Sequence, residues 1–121
     1  LSLYSKQIYS PPTVEEVTDS VRLSADDVRE LLEALVEAQE LVKVAEGMYF
    51  LRVAVCQAKD LVLAQFAQEP ELTLATFRTL IDSSRKYALP LLEYFDQKKL
   101  TLRVGESRRP NSSFDSANLP C

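Results

Sequence analysis

The chain repeats itself at an offset of 60 residues, so any fold proposed for it has to be built twice. Thr13 matches Thr73, Val17 matches Phe77, Ser24 matches Ser84, and Leu31-Leu32-Glu33 matches Leu91-Leu92-Glu93. The offset falls to 59 where Leu41 matches Leu100. Self-similarity at such a period signals tandem copies of one supersecondary unit. On the same offset Leu1–Ser10 matches Leu61–Pro70, so the first unit's opening helix is expected to be cut partway through. A start at Leu1, without Met and without a signal peptide's basic-then-apolar order, fits a fragment of something longer.

Each unit reads as three helices and a hairpin. In the first, Leu1, Tyr4 and Ile8 stand at helical spacing before Pro11-Pro12. Thr13 then caps a second helix, with Glu15 and Glu16 in its first turn and Val14, Val17 and Val21 facing inward. Ser24 caps a third, whose core face is Val28, Leu31, Leu32, Leu35 and Val36. Leu41–Ala45 and Met48–Arg52, joined by Glu46-Gly47, predict a hairpin. The order recurs. Ala58, Leu61, Val62 and Phe66 mark a helix that closes near Pro70, and Thr73 caps a short one carrying Leu74, Phe77 and Ile81. Ser84 caps the helix of Ala88, Leu91, Leu92 and Phe95, and a hairpin follows over Leu100–Val104 and Ser107–Arg109.

A short turn between two helices with a trailing hairpin is a helix-turn-helix with a wing. The predicted fold is therefore mainly α with small β-hairpin wings: two tandem winged-helix units, at 1–52 and 53–110. Units this small are near the lower limit for a stable core, which predicts a shared interface. The polar, patternless 111–121 reads as a disordered tail or a non-native scar. Pro90, inside the last helix, removes one i→i−4 hydrogen bond, an effect of about 3 kcal/mol, and should loosen or bend it.

Composition excludes more than it selects. No apolar run approaches the roughly 20 residues of a membrane span. With no His and two glycines, the chain lacks the usual general base and any Gly-rich phosphate loop. Neither an enzyme, a metal site nor a cofactor is expected in this stretch. Cys56 and Cys121 are too few for a disulfide framework, so Cys56 is expected to be a small core hydrophobe in a reducing, cytoplasmic protein.

The net charge of −4 speaks against nucleic acid, but its distribution does not. Residues 1–52 hold five basic and ten acidic side chains, while 83–109 hold seven basic and three acidic ones. The two third helices differ most at their starts. Asp26 and Asp27 complement the positive end of one helix dipole. Arg85 and Lys86 oppose the other, a mismatch of roughly 0.3–1 kcal/mol each at an exposed site. An anion docked on the helix start would reverse that sign. Arg103, Arg108 and Arg109 fall on the adjoining wing, and a basic helix start beside a basic wing points to nucleic acid. Tyr87 is open between hydrophobic packing and base stacking.

The run Ser83-Ser84-Arg85-Lys86-Tyr87-Ala88-Leu89-Pro90-Leu91-Leu92-Glu93-Tyr94-Phe95-Asp96-Gln97, with Thr101-Leu102-Arg103-Val104-Gly105, closely resembles the C-terminal end of the bacterial selenocysteine-specific elongation factors. In that family four winged helices stand in tandem, and this chain resembles the last two. The resemblance implies a protein that binds GTP and selenocysteyl-tRNA and works on the ribosome. It also implies a last winged helix that grips the mRNA stem-loop marking a UGA codon for selenocysteine. By position, RNA contact is implied at Ser83, Ser84, Arg85, Lys86 and Tyr87 and at Arg103. The match weakens at Ser107-Arg108-Arg109, where the family's wing continues as an apolar strand. The stretch itself is then a monomeric binding module, with GTP belonging to the rest of the parent protein.

Two alternatives stand beside this reading. One is a DNA-binding transcriptional winged helix, although one basic unit with an acidic neighbour gives no symmetric pair of readers for a palindrome. The other is a protein-interaction module that docks through the acidic first unit.

Overall fold

A computed structural model describes residues 8–21, 23–112, 119 and 121 of the chain. Ten elements follow in order: helices α1 (Val14–Val21) and α2 (Ala25–Glu37), strands β1 (Leu41–Ala45) and β2 (Met48–Leu51), and helix α3 (Arg52–Phe66). Then come strand β3 (Leu72–Thr73), helices α4 (Leu74–Ile81) and α5 (Arg85–Gln97), and strands β4 (Thr101–Val104) and β5 (Ser107–Pro110). The strands β1 and β2 pair antiparallel, and β5 lies between β3 and β4 in a three-stranded antiparallel sheet. This is the winged-helix arrangement the sequence predicts, with β3 added; at two residues that strand is too short to be read from any alternation. The expected helix through Leu1 and Tyr4 lies outside the described residues.

The helix starts are chemically explicit. Thr13 and Glu16 form a reciprocal capping box: the Thr13 amide donates to Glu16 Oε1 at 3.3 Å, and the Glu16 amide donates to Thr13 Oγ1 at 3.2 Å. Ser24 Oγ accepts from the Asp27 amide at 3.1 Å, and Thr73 Oγ1 from the Thr76 amide at 3.1 Å. The helix ends show the repeat as geometry. Gln39 and Lys99, 60 residues apart, both take left-handed φ angles of 62° and 63°. The amides that follow them close the same turn: Glu40 onto the Leu35 carbonyl at 2.9 Å, and Leu100 onto that of Phe95 at 3.0 Å. Pro90 leaves the Lys86 carbonyl without its i+4 donor, yet α5 runs through it as one helix.

Two apolar clusters hold the fold. Val14, Val17, Val28, Leu32, Leu41 and Tyr49 make the smaller one, within the first half of the chain. The larger is built from α3, α4 and α5, with Phe77 and Phe95 edge to face at 6.2 Å. Val42, Val44 and Phe50 of the first hairpin also belong to it, so β1 packs between α2 and α5 and the two halves share a core.

Several expectations are corrected. Val21 and Leu31, read as inward, are exposed; of the residues that marked α3, Ala58 and Val62 are buried, with Ala54 and Val55, while Leu61 is exposed. The predicted stripes hold in Val14 and Val17, Val28 and Leu32, and Ala58 and Val62, and each exposed residue is a single member that spacing alone does not assign. Cys56 is not a free core hydrophobe but forms a disulfide with Cys121, their Cα atoms 5.6 Å apart. The tail is likewise not loose at its end, because Leu119 is 5% exposed and joins the larger core cluster. Residues 113–118 and 120, where the tail was read as patternless, lie outside the described ones.

Candidate nucleic-acid interface

The start of α5 differs from the three capped starts. Ser84 occupies the N-cap position with extended backbone (φ −87°, ψ 166°), but its hydroxyl makes no cap hydrogen bond. Its carbonyl takes the amides of Tyr87 and Ala88 at 3.2 and 2.9 Å. The amides of Arg85 and Lys86 have no protein acceptor among the described residues. Both side chains are exposed, and neither makes an ion pair among those residues. Lys86 Nζ lies 5.2 Å from the centroid of the Tyr87 ring. Tyr87 itself is half-buried and packs on the larger core cluster, so its ring is a seat for Lys86 before it is a platform for a base. The first turn of α5 thus presents two cations and unfilled N–H groups with no acidic side chain in it.

The wing divides its arginines among three roles. Arg103 is exposed, and its Nε donates to the Gly105 carbonyl at 3.3 Å, holding it against the hairpin tip. Arg109 Nη2 reaches Glu71 Oε1 at 2.7 Å, a surface pair between β5 and the approach to β3. Arg108 is not on the surface at all. It is 2% exposed; its Nε donates to Asp96 Oδ2 at 3.1 Å, and its Nη2 lies 3.1 Å from the same oxygen, off a hydrogen bond's line. Thr101, also buried, donates its hydroxyl to Asp96 Oδ1. Strand pairing explains the placement, since β5 is the central strand and Arg108 is paired there with Leu72 of β3, which is fully buried. Arg108 is therefore corrected from an RNA contact to a core ion pair.

Two further residues sit differently from their reading. Ser83 donates its hydroxyl to the Tyr9 carbonyl at 2.6 Å, turning back toward the segment before α1 rather than outward. Lys98 and Lys99 lie beyond the far end of α5, about 20 Å from Arg85 at 1.5 Å per residue, so the basic run in the sequence is not one patch. Sequence reasoning passed over Arg78. It is exposed in the last turn of α4 and lines a shallow groove of ≈ 420 Å³ with Ala75, Thr79, Asp82 and Ser83. Its signal was a lone cation three residues before the helix end. Opposite in sign, Glu15, Asp26, Asp27, Glu30 and Glu33 are exposed along α1 and α2. Among the described residues, no group of His, Cys, Asp and Glu could hold a metal ion, and no helix is long and apolar enough to cross a membrane.

Comparisons with known proteins bear on this surface. The family described as elongation factor SelB, winged helix, matches residues 64–109. A selenocysteine-specific elongation factor from Desulfomicrobium baculatum is 34% identical over 99 residues, taking in 82% of this chain. The chain spans 16% of that relative's length. Among solved structures, the mRNA-binding domain of elongation factor SelB from E. coli in complex with SECIS RNA matches with a TM-score of 0.79. That match covers 92% of this chain and 95% of the other at 17% identity, a likeness of fold.

Proposed function

Because the chain belongs to the selenocysteine-specific elongation factor family, we propose that it is an RNA-binding module that grips an mRNA stem-loop through the start of α5. The observation that carries this reading is the first turn of α5: exposed Arg85 and Lys86, free amides, and a cap hydroxyl left unused, where α1, α2 and α4 are closed by their own caps. A helix start of this kind binds two or three phosphates. It cannot enter the deep, narrow major groove of A-form RNA, so it suits a loop, where the backbone turns sharply. Arg103 at the wing tip supplies a further cation. The acidic α1 and α2 repel a phosphate backbone and serve as spacer and support.

The parent protein's GTP and selenocysteyl-tRNA sites, and its contact with the ribosome, lie outside this stretch. The chain's two glycines each sit at a hairpin turn, Gly47 and Gly105, and no phosphate-cradling loop is present in the sequence. The module itself carries no catalysis. Competition among an RNA stem-loop, the same stem without its loop, and duplex DNA, at one fixed salt concentration, tests the reading. The stem-loop should win clearly. Equal affinity for stem-loop and blunt DNA duplex would return a DNA-reading winged helix to first place.

A further inference from the structure

The turn between α4 and α5, Asp82 to Ser84, sets where the α5 start points, and little packs on it. A groove of ≈ 420 Å³ opens beside it along α4, and a second of ≈ 220 Å³ is lined by Ile8, Tyr9, Ser10, Ile81 and Asp82. Asp82 ends α4 in the left-handed region (φ 51°), a conformation that disfavours any residue with a Cβ. What fixes the turn from outside its own helices comes from the far end of the chain. Ser83 Oγ donates to the Tyr9 carbonyl at 2.6 Å, and Ser10 Oγ stands 3.4 Å from Ser83 Oγ. Tyr9 is in turn anchored on a third element, because its hydroxyl donates to the Ala54 carbonyl of α3 at 3.0 Å. Its ring packs on the larger core cluster, and burial pushes the hydroxyl up to about 12. Residues more than 70 positions apart are thus joined in one run: α3, Tyr9, Ser83, then the first turn of α5.

We infer that Tyr9 and Ser83 are positioning residues for RNA binding: a strut from the segment before α1 that holds the α5 start in its binding geometry without touching RNA. This rests on the proposed RNA reading, and it gives the acidic first unit a mechanical part in recognition. The physical basis is preorganisation. Two amides and two cations hold several phosphates at once only if the turn before them does not wander, and ordering it on binding would cost affinity.

The test uses the full chain carrying Ser83→Ala or Tyr9→Phe, with Ser83→Thr as the conservative variant that keeps the hydroxyl. In the free protein, amide hydrogen exchange at Tyr87 and Ala88, whose N–H groups bond the Ser84 carbonyl, should quicken in Ser83→Ala while the core amides of α3 stay protected. Stem-loop affinity should fall about tenfold, the scale of one hydrogen bond's contribution. The slope of log K against log salt should also become shallower, because fewer phosphates are held together. Ser83→Thr should restore both. A lowered unfolding midpoint with affinity and salt slope unchanged would overturn the strut and leave an ordinary interface bond. If the unmutated chain does not bind the stem-loop, the RNA reading fails instead. Exchange at the α5 start still decides whether Tyr9 and Ser83 hold it.

Discussion

Removing the buried guanidinium of Arg108 should unfold much of the second unit's stability without a separate effect on RNA. Its side chain is 3% exposed and its partner's, Asp96, is 20% exposed, so solvent screens the pair poorly. Arg108→Ala leaves the Asp96 carboxylate facing the core with only the Thr101 hydroxyl for company, along with the space vacated by the side chain. Breaking a buried pair in this way costs about 3–5 kcal/mol, against total stabilities of roughly 5–15 kcal/mol for folded domains. Arg108→Met combined with Asp96→Leu removes both charges while keeping volume. It should recover most of the loss, because an apolar replacement for a buried pair is often neutral. Urea denaturation of the single and double variants, at 0.15 M and at 0.5 M salt, measures the cost and its salt dependence. RNA affinity is then compared at a temperature where every variant is folded. Stability within about 0.5 kcal/mol for Arg108→Ala, the scale of an ordinary surface substitution, would refute the core placement. A shallower salt slope in the folded variant would return Arg108 to the RNA surface.

Other outcomes follow from the same geometry. Lys86→Ala should weaken binding to any suitable stem-loop to a similar degree and flatten the salt slope by less than about one unit, as a phosphate contact does; an unchanged slope with a changed loop preference contradicts this. Gln39→Gly and Lys99→Gly should each raise the unfolding free energy by a few tenths to about 1 kcal/mol, because glycine relieves the left-handed strain but loosens the unfolded chain; thermal melts read it. Reducing the Cys56–Cys121 disulfide, which closes a loop 65 residues long in sequence separation, should cost about 4 kcal/mol of stability by chain entropy. Finding two free thiols in the oxidised protein would contradict the bond. Tyr9 has a folded-state pKa above its unfolded value of 10.0, so the stability it contributes is complete below pH 10 and is lost as pH rises towards about 12. Ultraviolet titration should show Tyr9 and Tyr94, both raised by burial, ionising late, together with loss of structure in that window.

The repeat, the helix caps at Thr13, Ser24 and Thr73, and both hairpins were legible in the sequence because each depends on local chemistry. The α5 start was legible for the same reason: a Ser followed by two cations is a visible departure from Ser24-Ala25-Asp26-Asp27. What the sequence hid is tertiary. Nothing in the spacing of Cys56 and Cys121 announces a bond, and Gln39 and Lys99 occupy left-handed positions where glycine is the expected signal. Arg108 looked like Arg103 because the two are cross-strand partners on one face. What separates them is that β5 is the central strand, where Arg108 meets Leu72 of β3 and Asp96 at the end of α5, while Arg103 lies on the edge strand. RNA contact at Ser83 is implied only by the family resemblance, whereas its hydroxyl is spent on the carbonyl of Tyr9, a residue 74 positions away.

Charge reversal at the α5 start tests the central claim most directly. Replacing Arg85 and Lys86 together by Asp puts acids where the helix dipole favours them, worth roughly 0.3–1 kcal/mol each at an exposed site. The free chain should therefore melt slightly higher than the unmutated one, while stem-loop binding is abolished. A variant that is folded, no less stable, and still binds the stem-loop with undiminished affinity would show that the RNA is held elsewhere.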